Sequence, residues 1–340
     1  MSKKLVTFGE IMLRLTPPDN KRFVQADSFN VIYGGGEANV AVSAANYGLN
    51  SYFVTKLPKN PIGRSALNEV RRYGVNTNYI ARGGDRLGIY YCESGASQRG
   101  SNVIYDRAYS AIAEADFNDF NWDEIFNDAD WFHVTGITPA LSPRMSEITI
   151  EAVKKAQELG VKVSCDLNYR AKLWTQKEAR KVMTKVMQYV DVCIANEEDA
   201  EMTFGIKSGS DVDSGEINIE GYQDVAQQLI DKFDLEMVGS HLRISHNASL
   251  NDWIVVLYDG EKFVQSKEYN IHIVDRVGGG DSFAGALIYA QLTDKSLQET
   301  VEFGAAASAL KQSIPGDFNH MSVEEVEAIA SGPASGRVKR

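Results

Sequence analysis

Residues Val274–Phe283 read VDRVGGGDSF, and this stretch decides which fold the rest of the chain predicts. A short β-prone run ends at Asp275, a run of glycines follows, and the apolar segment Phe283–Tyr289 has the composition of a helix. A glycine run that opens a helix lets backbone N–H groups converge at the positive end of the helix dipole. The glycines are Gly278, Gly279 and Gly280. The stretch therefore predicts a strand–turn–helix unit with a site for an anion such as a phosphate.

Asp281 follows the glycines at the mouth of the predicted helix. A carboxylate at this position would be a general base whose charged form the helix terminus stabilises. An anion site together with a base can move a phosphoryl group onto a hydroxyl. Asp and Ser are also ordinary helix N-caps and glycine runs are ordinary loops, so the stretch alone leaves a purely structural turn open. It matches neither the Walker A motif nor G-x-G-x-x-G.

Composition limits the class of protein. The chain has 340 residues, of which 44% are hydrophobic, enough for a large α/β domain that carries an insertion. The formal net charge of -11 argues against nucleic acid and against an anionic membrane as the main partner. A phosphorylated ligand remains compatible, because it needs positive charge only locally.

The cysteines and the chain ends suggest a cytoplasmic protein. Cys92, Cys165 and Cys193 lie in apolar runs without a C-x-x-C spacing, which predicts buried free thiols and no zinc site. The N-terminus lacks the apolar segment of a signal peptide, and no stretch reaches the about 18 apolar residues of a membrane span. We expect a reducing cytoplasm, and a flexible tail over residues 333–340.

Short apolar strands alternate with amphipathic helices along most of the chain. This alternation predicts a mainly parallel sheet with helices on both faces, over one domain spanning residues 1–332. Two segments, at about 11–33 and 86–109, are rich in strand formers and lack helices. We expect them to form a small antiparallel sheet that covers the carboxyl edge of the main sheet as a lid. A peripheral decoration or an oligomer contact is the alternative.

Polar residues follow the ends of several predicted strands, where open α/β sheets bind their ligands. Arg170 is a planar donor suited to a carboxylate or a phosphate, and Asn39 could reach a sugar hydroxyl. Taken singly, each has an ordinary structural explanation as a cap, a surface ion pair or strand packing. The candidates are Gly34, Gly35, Asn39, Tyr90, Tyr105, Arg107, Thr135, Asn168, Arg170, Asn196, Glu198 and Asp199.

The ordered set of Gly34–Gly35 with Asn39, Asn196 in an N-x-x-acid run, and Gly278–Asp281 resembles the ribokinase-like (PfkB) carbohydrate kinases, over nearly the whole chain. The resemblance implies a three-layer α/β/α ribokinase-like fold with a mainly parallel central sheet and a small β-sheet lid. It implies ATP and Mg²⁺, with a monovalent cation as a further candidate, and a homo-oligomer formed through the lid sheet. It also implies that Asp281 is the base and that the Gly278–Gly280 amides form the anion hole.

Within this family the chain is most similar to the kinases of 2-keto-3-deoxygluconate, which would give phosphorylation of the C6 hydroxyl. The carboxylate of such a sugar acid needs a cation, for which Arg107 and Arg170 are available, whereas a neutral sugar needs none. The implied substrate site comprises Gly34, Gly35, Asn39, Tyr90, Tyr105, Arg107, Thr135, Arg170 and Asp275. The implied ATP site comprises Asn168, Arg170, Asn196, Arg243, Ser245, Gly278 and Gly280, with Glu198 and Asp199 holding the metal through water.

Alternatives and departures remain open. The chain could be another sugar kinase of the family, such as a fructokinase or a 5-dehydro-2-deoxygluconokinase, or a catalytically silent sugar-acid-binding protein. Glu37 stands where ribokinase-type members have a small residue, and Arg276 where many have Thr. Asp199 replaces the Glu of the N-x-x-E motif and is one methylene shorter, so Glu198 is an alternative metal residue.

Overall fold

The computed structural model describes residues 2–207 and 219–332, so the expected tail at 333–340 lies outside the described residues. The strands are β1 (Lys4–Phe8), β2 (Met12–Thr16), β3 (Asn30–Gly34), β4 (Asn50–Leu57), β5 (Ile80–Arg82), β6 (Ile89–Glu93), β7 (Asn102–Asp106), β8 (Trp131–Thr135), β9 (Lys162–Asp166), β10 (Val192–Ile194), β11 (Met237–Asn247), β12 (Leu250–Tyr258), β13 (Phe263–Gln265) and β14 (Tyr269–His272). The helices are α1 (Gly36–Asn46), α2 (Pro61–Arg72), α3 (Trp122–Ile125), α4 (Pro143–Glu158), α5 (Gln176–Val186), α6 (Glu197–Phe204), α7 (Ile219–Phe233), α8 (Gly279–Leu292), α9 (Leu297–Lys311) and α10 (Val323–Ser331).

The main sheet has the strand order β13-β12-β11-β10-β9-β8-β1-β4-β5, with β14 also paired to β12. Every neighbouring pair from β11 to β5 is parallel, and the pairs that β12 makes with β11, β13 and β14 are antiparallel. The predicted α/β class with a mainly parallel sheet is confirmed. The carboxyl ends of the parallel strands meet at one edge, which is where a ligand site is expected.

Helices cover both faces of this sheet because its strands are apolar on both sides. On β8, Val134 packs in one cluster with Ile148 of α4. Trp131 of the same strand packs in a second cluster with Phe283 of α8. The resulting three layers bury the three cysteines as free thiols. Across residues 2–207 and 219–332, no helix combines the length and the apolar character needed to cross a membrane.

A second, four-stranded sheet has the order β3-β2-β6-β7 and is formed by the two segments predicted at about 11–33 and 86–109, with β3 ending at Gly34. The expectation that it is antiparallel throughout is wrong, because the central pair β2–β6 is parallel. Only β2–β3 and β6–β7 are antiparallel, and each of these pairs comes from one continuous segment. The chain reaches β6 from β3 through α1, β4, α2 and β5, and such a long connection permits parallel pairing.

Arg14 of β2 fastens the small sheet to the main domain. Its side chain is 1% exposed, and its Nη1 lies 2.8 Å from both Asp275 Oδ2 and Asp317 Oδ1. The hydroxyl of Tyr90, on β6, also donates to Asp317. Two strands of the small sheet are thus held by carboxylates of the main domain in a buried network.

We predict that Arg14→Met lowers the free energy of unfolding by about 3 kcal/mol, because it leaves two buried carboxylates without their cation. Arg86→Met is the matched control, since it breaks the largely exposed pair of Arg86 with Asp106 and should change stability by less than about 1 kcal/mol. Urea denaturation followed by fluorescence measures both. Equal losses in the two variants would show that the buried network does not carry the attachment.

Candidate active site

Among the helices whose N-caps the structure describes, two begin without a side-chain cap, and these two face each other. Most of the helices have an Asn, Ser or Thr N-cap whose side chain accepts a hydrogen bond from the first turn. The N-caps of α1 and α8 are Gly35 and Gly278, and neither end has a side-chain cap hydrogen bond. First-turn N–H groups without such a cap need another acceptor. Asn39 Nδ2 of α1 donates to Asp281 Oδ2 of α8 at 2.6 Å, so the two uncapped ends meet at one point.

The turn into α8 requires glycine. Gly278 has φ +85°, in the left-handed region, and a Cβ there would lie 2.0 Å from Asp317 O. Gly278, Gly279, Gly280 and Asp281 all line a cavity of about 560 Å³ at the carboxyl edge of the sheet. The predicted anion hole and the predicted base therefore border the same cavity.

Asp281 is half-buried, and its pKa is raised to about 6. Burial is the main cause; Asp317 raises the pKa further, while the hydrogen bond from Asn39 and the charges of Arg170 and Lys311 lower it. Burial disfavours a charge, so the pKa is raised although the carboxyl lies at a helix N-terminus. A pKa near 6 leaves the carboxylate largely ionised at neutral pH and able to accept a proton.

Three arginines bring local positive charge to this cavity. Arg170, Arg243 and Arg276 all line it, and none pairs with a carboxylate within the described part of the chain. Arg170 Nη1 donates to Tyr169 O at 3.0 Å. These guanidinium groups are donors for a polyphosphate, although acidic residues also line the same cavity. Ser245, predicted with Arg243 as an ATP contact, is exposed on β11 and is not among the lining residues.

Side chains with oxygen ligands form a wall of the cavity that also includes Arg170. Asn196 Oδ1 caps α6 by accepting from Asp199 N at 2.7 Å, and Asp199 Oδ1 accepts from Tyr169 N at 2.9 Å. Burial raises the pKa of Asp199 to about 6, and burial together with Asp199 and Asp281 raises that of Asp166 well above its ordinary value. Glu198 is exposed on the same wall. Carboxylate and amide oxygens of this kind suit Mg²⁺.

A magnesium ion here would still need further ligands. No group of three or more His, Cys, Asp or Glu residues in the described ranges is arranged to hold a metal. Mg²⁺ in nucleotide sites is commonly bound through one or two carboxylates, water and substrate phosphates, so the residues fit that mode. Asn168 adds a further polar group, because its Oδ1 is buried without a hydrogen-bond partner among the described residues.

A second cavity of about 1000 Å³ lies under the lid. It shares Tyr105, Tyr169, Arg170 and Glu198 with the first cavity, so the two adjoin. Arg107 lines it, with its guanidinium 5.1 Å from the centre of the Tyr105 ring. The structure also pairs Arg107 with Glu10 in a buried ion pair, which the sequence did not indicate. Of the two predicted cations, Arg170 is therefore the one without a carboxylate partner among the described residues.

Other predicted substrate residues are occupied by contacts within the protein. A Cβ on Gly34 would lie 2.1 Å from Asp317 Oδ2, and one on Gly35 would lie 1.9 Å from Glu10 O, so internal packing already requires both glycines. Thr135 is buried, and its hydroxyl donates to Glu37 Oε1 at 2.7 Å. Asp275 and Tyr90, likewise predicted for the substrate, belong to the buried network around Arg14.

Several residues of the site escaped the sequence reasoning. Glu37, which the sequence marks only as a departure from the family pattern, is buried and accepts hydrogen bonds from Thr135 and from Thr138 Oγ1 at 2.6 Å. An acid within an apolar helix was a usable signal for it. Asp317 and Lys311 carried no such signal, because only the fold brings the end of α9 and the loop after it beneath the glycine turn.

Comparison with known proteins agrees with this geometry. Residues 2–320 match the family described as pfkB family carbohydrate kinase. The chain is 55% identical to 2-dehydro-3-deoxygluconokinase from Thermotoga maritima, with a TM-score of 0.94 over 98% of this chain and 99% of that one. A PfkB family carbohydrate kinase from Listeria grayi is 35% identical, with a TM-score of 0.90 over 97% and 100% of the two chains. The 2-dehydro-3-deoxygalactonokinase of Haloferax volcanii is 35% identical over 99% of each chain.

Proposed function

Because the chain belongs to the pfkB family of carbohydrate kinases, we propose that it transfers the γ-phosphoryl group of ATP to the C6 hydroxyl of 2-keto-3-deoxygluconate. The product is 2-keto-3-deoxy-6-phosphogluconate. The 55% identity to the Thermotoga maritima 2-dehydro-3-deoxygluconokinase supports the acceptor, because that name denotes a kinase of the same sugar acid.

The position of Arg170 is the observation that supports a sugar acid as the substrate. Arg170 lies where the cavity of the glycine turn joins the cavity under the lid, and it has no carboxylate partner among the described residues. A guanidinium so placed binds a carboxylate or phosphate through paired N–H groups. A neutral sugar would leave this cation without a partner on the acceptor side. Arg107 adds the N–H groups that Glu10 does not use.

Asp281 takes the proton of the acceptor hydroxyl, and the amides of the glycine turn stabilise the charge that develops on the transferred phosphoryl group. Asn39 holds the Asp281 carboxylate in place through its 2.6 Å hydrogen bond. Arg243 and Arg276 bind the remaining phosphates from the wall of the cavity. Mg²⁺, held through Glu198, Asp199 and water, would supply additional charge neutralisation for ATP when it is bound. A monovalent cation is a further candidate without a specific observation in its favour.

The lid completes the site by excluding water, which would otherwise compete with the sugar as acceptor. Tyr105, on β7, borders both cavities, so the lid contributes directly to their walls. The network of Arg14 and Tyr90 with Asp317 holds the lid strands against the main domain next to Gly278. Catalysis and lid position therefore depend on adjoining parts of the structure.

We expect rapid consumption of ATP with 2-keto-3-deoxygluconate and much slower consumption with the neutral sugars fructose and ribose, because only a sugar acid pairs with Arg170. 5-Dehydro-2-deoxygluconate also carries a carboxylate, so its rate measures the selection among sugar acids. A coupled assay of ADP release with Mg²⁺ measures this, and 2-keto-3-deoxygalactonate in the same panel tests stereochemical tolerance. Preference for a neutral sugar would be consistent with the kinase chemistry but would contradict the role of Arg170 in binding a sugar acid. Sugar-acid binding without ADP release from any acceptor would instead support the catalytically silent binding protein.

Asp281→Asn should lower kcat by roughly 10²–10⁴-fold, the usual contribution of a positioned base. In the unchanged enzyme, kcat/KM should fall as the pH drops through about 6, the pKa of Asp281, because only the ionised carboxylate accepts a proton. Steady-state rates between pH 4.5 and 9 measure both effects. Asp259→Asn, in the turn between β12 and β13, is the control and should leave the profile unchanged. Near-normal turnover of the Asp281 variant would eliminate this residue as the base.

A homodimer formed through the lid is part of the proposal. The lid and its connecting loop expose apolar side chains, with Val31 61% and Ile104 49% exposed, and exposed sheet surfaces of this kind favour association. Ile104→Asp should convert the dimer to a monomer, as measured by sedimentation equilibrium. Ile62→Asp, at an exposed position of α2, is the control and should have no effect. A wild-type chain that is monomeric at all concentrations would rule out the dimer.

A further inference from the structure

Lys311, the last residue of α9, is a fully buried cation that the mechanism above does not use. Its side chain is 0% exposed. Its Nζ donates to Asp275 O at 3.1 Å, and its Cε lies 3.3 Å from where a Cβ on Gly278 would be. The ammonium thus lies beneath the glycine turn, on the side away from the cavity. An ammonium in such a place is costly unless surrounding groups compensate it.

The compensation comes from the carboxyl groups of the site itself. Asp275, Asp317 and Asp281 each favour the charged form of Lys311, while burial first, and Arg14 after it, lower its pKa. Lys311 in turn lowers the pKa of His320. No carboxylate in the described ranges forms a direct ion pair with Lys311, so its charge acts through space on several groups. Electrostatic interactions between such charges are stronger inside a protein than at its surface, because the effective dielectric constant is lower there.

We propose that Lys311 is a positioning residue for phosphoryl transfer: its ammonium fixes the backbone at Asp275 and places a positive charge behind the glycine turn and Asp281. This inference rests on the proposed kinase function. Arg170 approaches the site from the cavity, and Lys311 approaches it from the protein interior. The interior charge cannot be displaced by a ligand or screened by salt in the way that an exposed one can.

The charge of Lys311 should be visible in the titration of Asp281. The charged groups that act on Asp281 are Asp317 and Asp166, which oppose its ionisation, and Arg170 and Lys311, which favour it. Removing one favourable charge leaves the carboxyl harder to ionise. A nearby opposite charge typically changes a pKa by about one unit or more. The acid limb of the kcat/KM profile should therefore move to higher pH when Lys311 is neutralised.

The test compares Lys311→Gln, which keeps a donor for Asp275 O but removes the charge, with Lys311→Met, which removes both, and with Lys311→Arg, which keeps the charge. Lys4→Met is the matched control, since Lys4 is also buried and donates to the carbonyls of Ile125 and Asn127 at 3.0 and 2.7 Å. For both neutral variants we expect the acid limb to shift upward by about one pH unit, a roughly tenfold loss of kcat/KM on that limb. Lys311→Arg and Lys4→Met should keep the wild-type limb.

The second readout does not depend on activity. Carbon-13 NMR of the aspartate carboxyl groups in the ligand-free protein, with Asp281 assigned from the spectrum of Asp281→Asn, should show the same upward shift in both neutral variants. A folded Lys311→Gln protein with an unchanged Asp281 titration would overturn the inference. Unfolding of both neutral variants while Lys4→Met stays folded would also overturn it, by assigning Lys311 to the fold alone. Absence of ADP release from the wild type would instead refute the kinase proposal, and the NMR titration would still decide the role of Lys311.

Discussion

The hydrogen bond from Asn39 to Asp281 is the contact on which the site depends. It joins the first turns of α1 and α8, the two helices whose glycine N-caps provide no side-chain cap. The two helices come from opposite ends of the chain and pack against each other on one face of the main sheet. Neither helix follows a strand of the parallel set, since β3 precedes α1 and β14 precedes α8, so their N-termini meet through the packing of the helices. The geometry of the base therefore follows from the packing of the whole domain.

Burial and nearby charges act on the ionisation of Asp281, and their balance sets the pKa of this carboxyl. Burial alone would push Asp281 towards its neutral form, while Asn39, Arg170 and Lys311 favour the carboxylate. The result, a pKa of about 6, leaves the Asp281 carboxyl largely ionised near neutral pH, as the proposed role of a base requires. The net charge of -11 is compatible with a phosphorylated ligand, because three arginines without a carboxylate partner in the described residues line the cavity beside its acidic residues.

Buried ion pairs join the lid to the residues around the glycine turn. Arg14 of β2 contacts Asp275, which precedes the glycine turn, and also contacts Asp317. The backbone carbonyl of Asp317 leaves no room for a side chain at Gly278. Buried ion pairs add little net stability compared with apolar packing, but they require defined partners at defined positions. Here the partners tie the position of the lid strands to the conformation of the turn that would hold the phosphate. Gly34, on β3, packs directly against the same Asp317 carboxylate.

The amino-acid sequence by itself determined the α/β class, the parallel sheet, the two lid segments and the glycine turn with Asp281, because hydrophobic period and glycine runs are local signals. It also indicated Arg170 and the acidic start of α6, since both follow strands directly. Only the tertiary structure decided that β2 and β6 are parallel, that Arg107 is paired with Glu10, and that the hydroxyl of Thr135 donates to Glu37. Only the tertiary structure also brought Arg14, Lys311 and Asp317 beneath the turn. These contacts join residues far apart in the chain, and no local pattern encodes the partner of a buried charge.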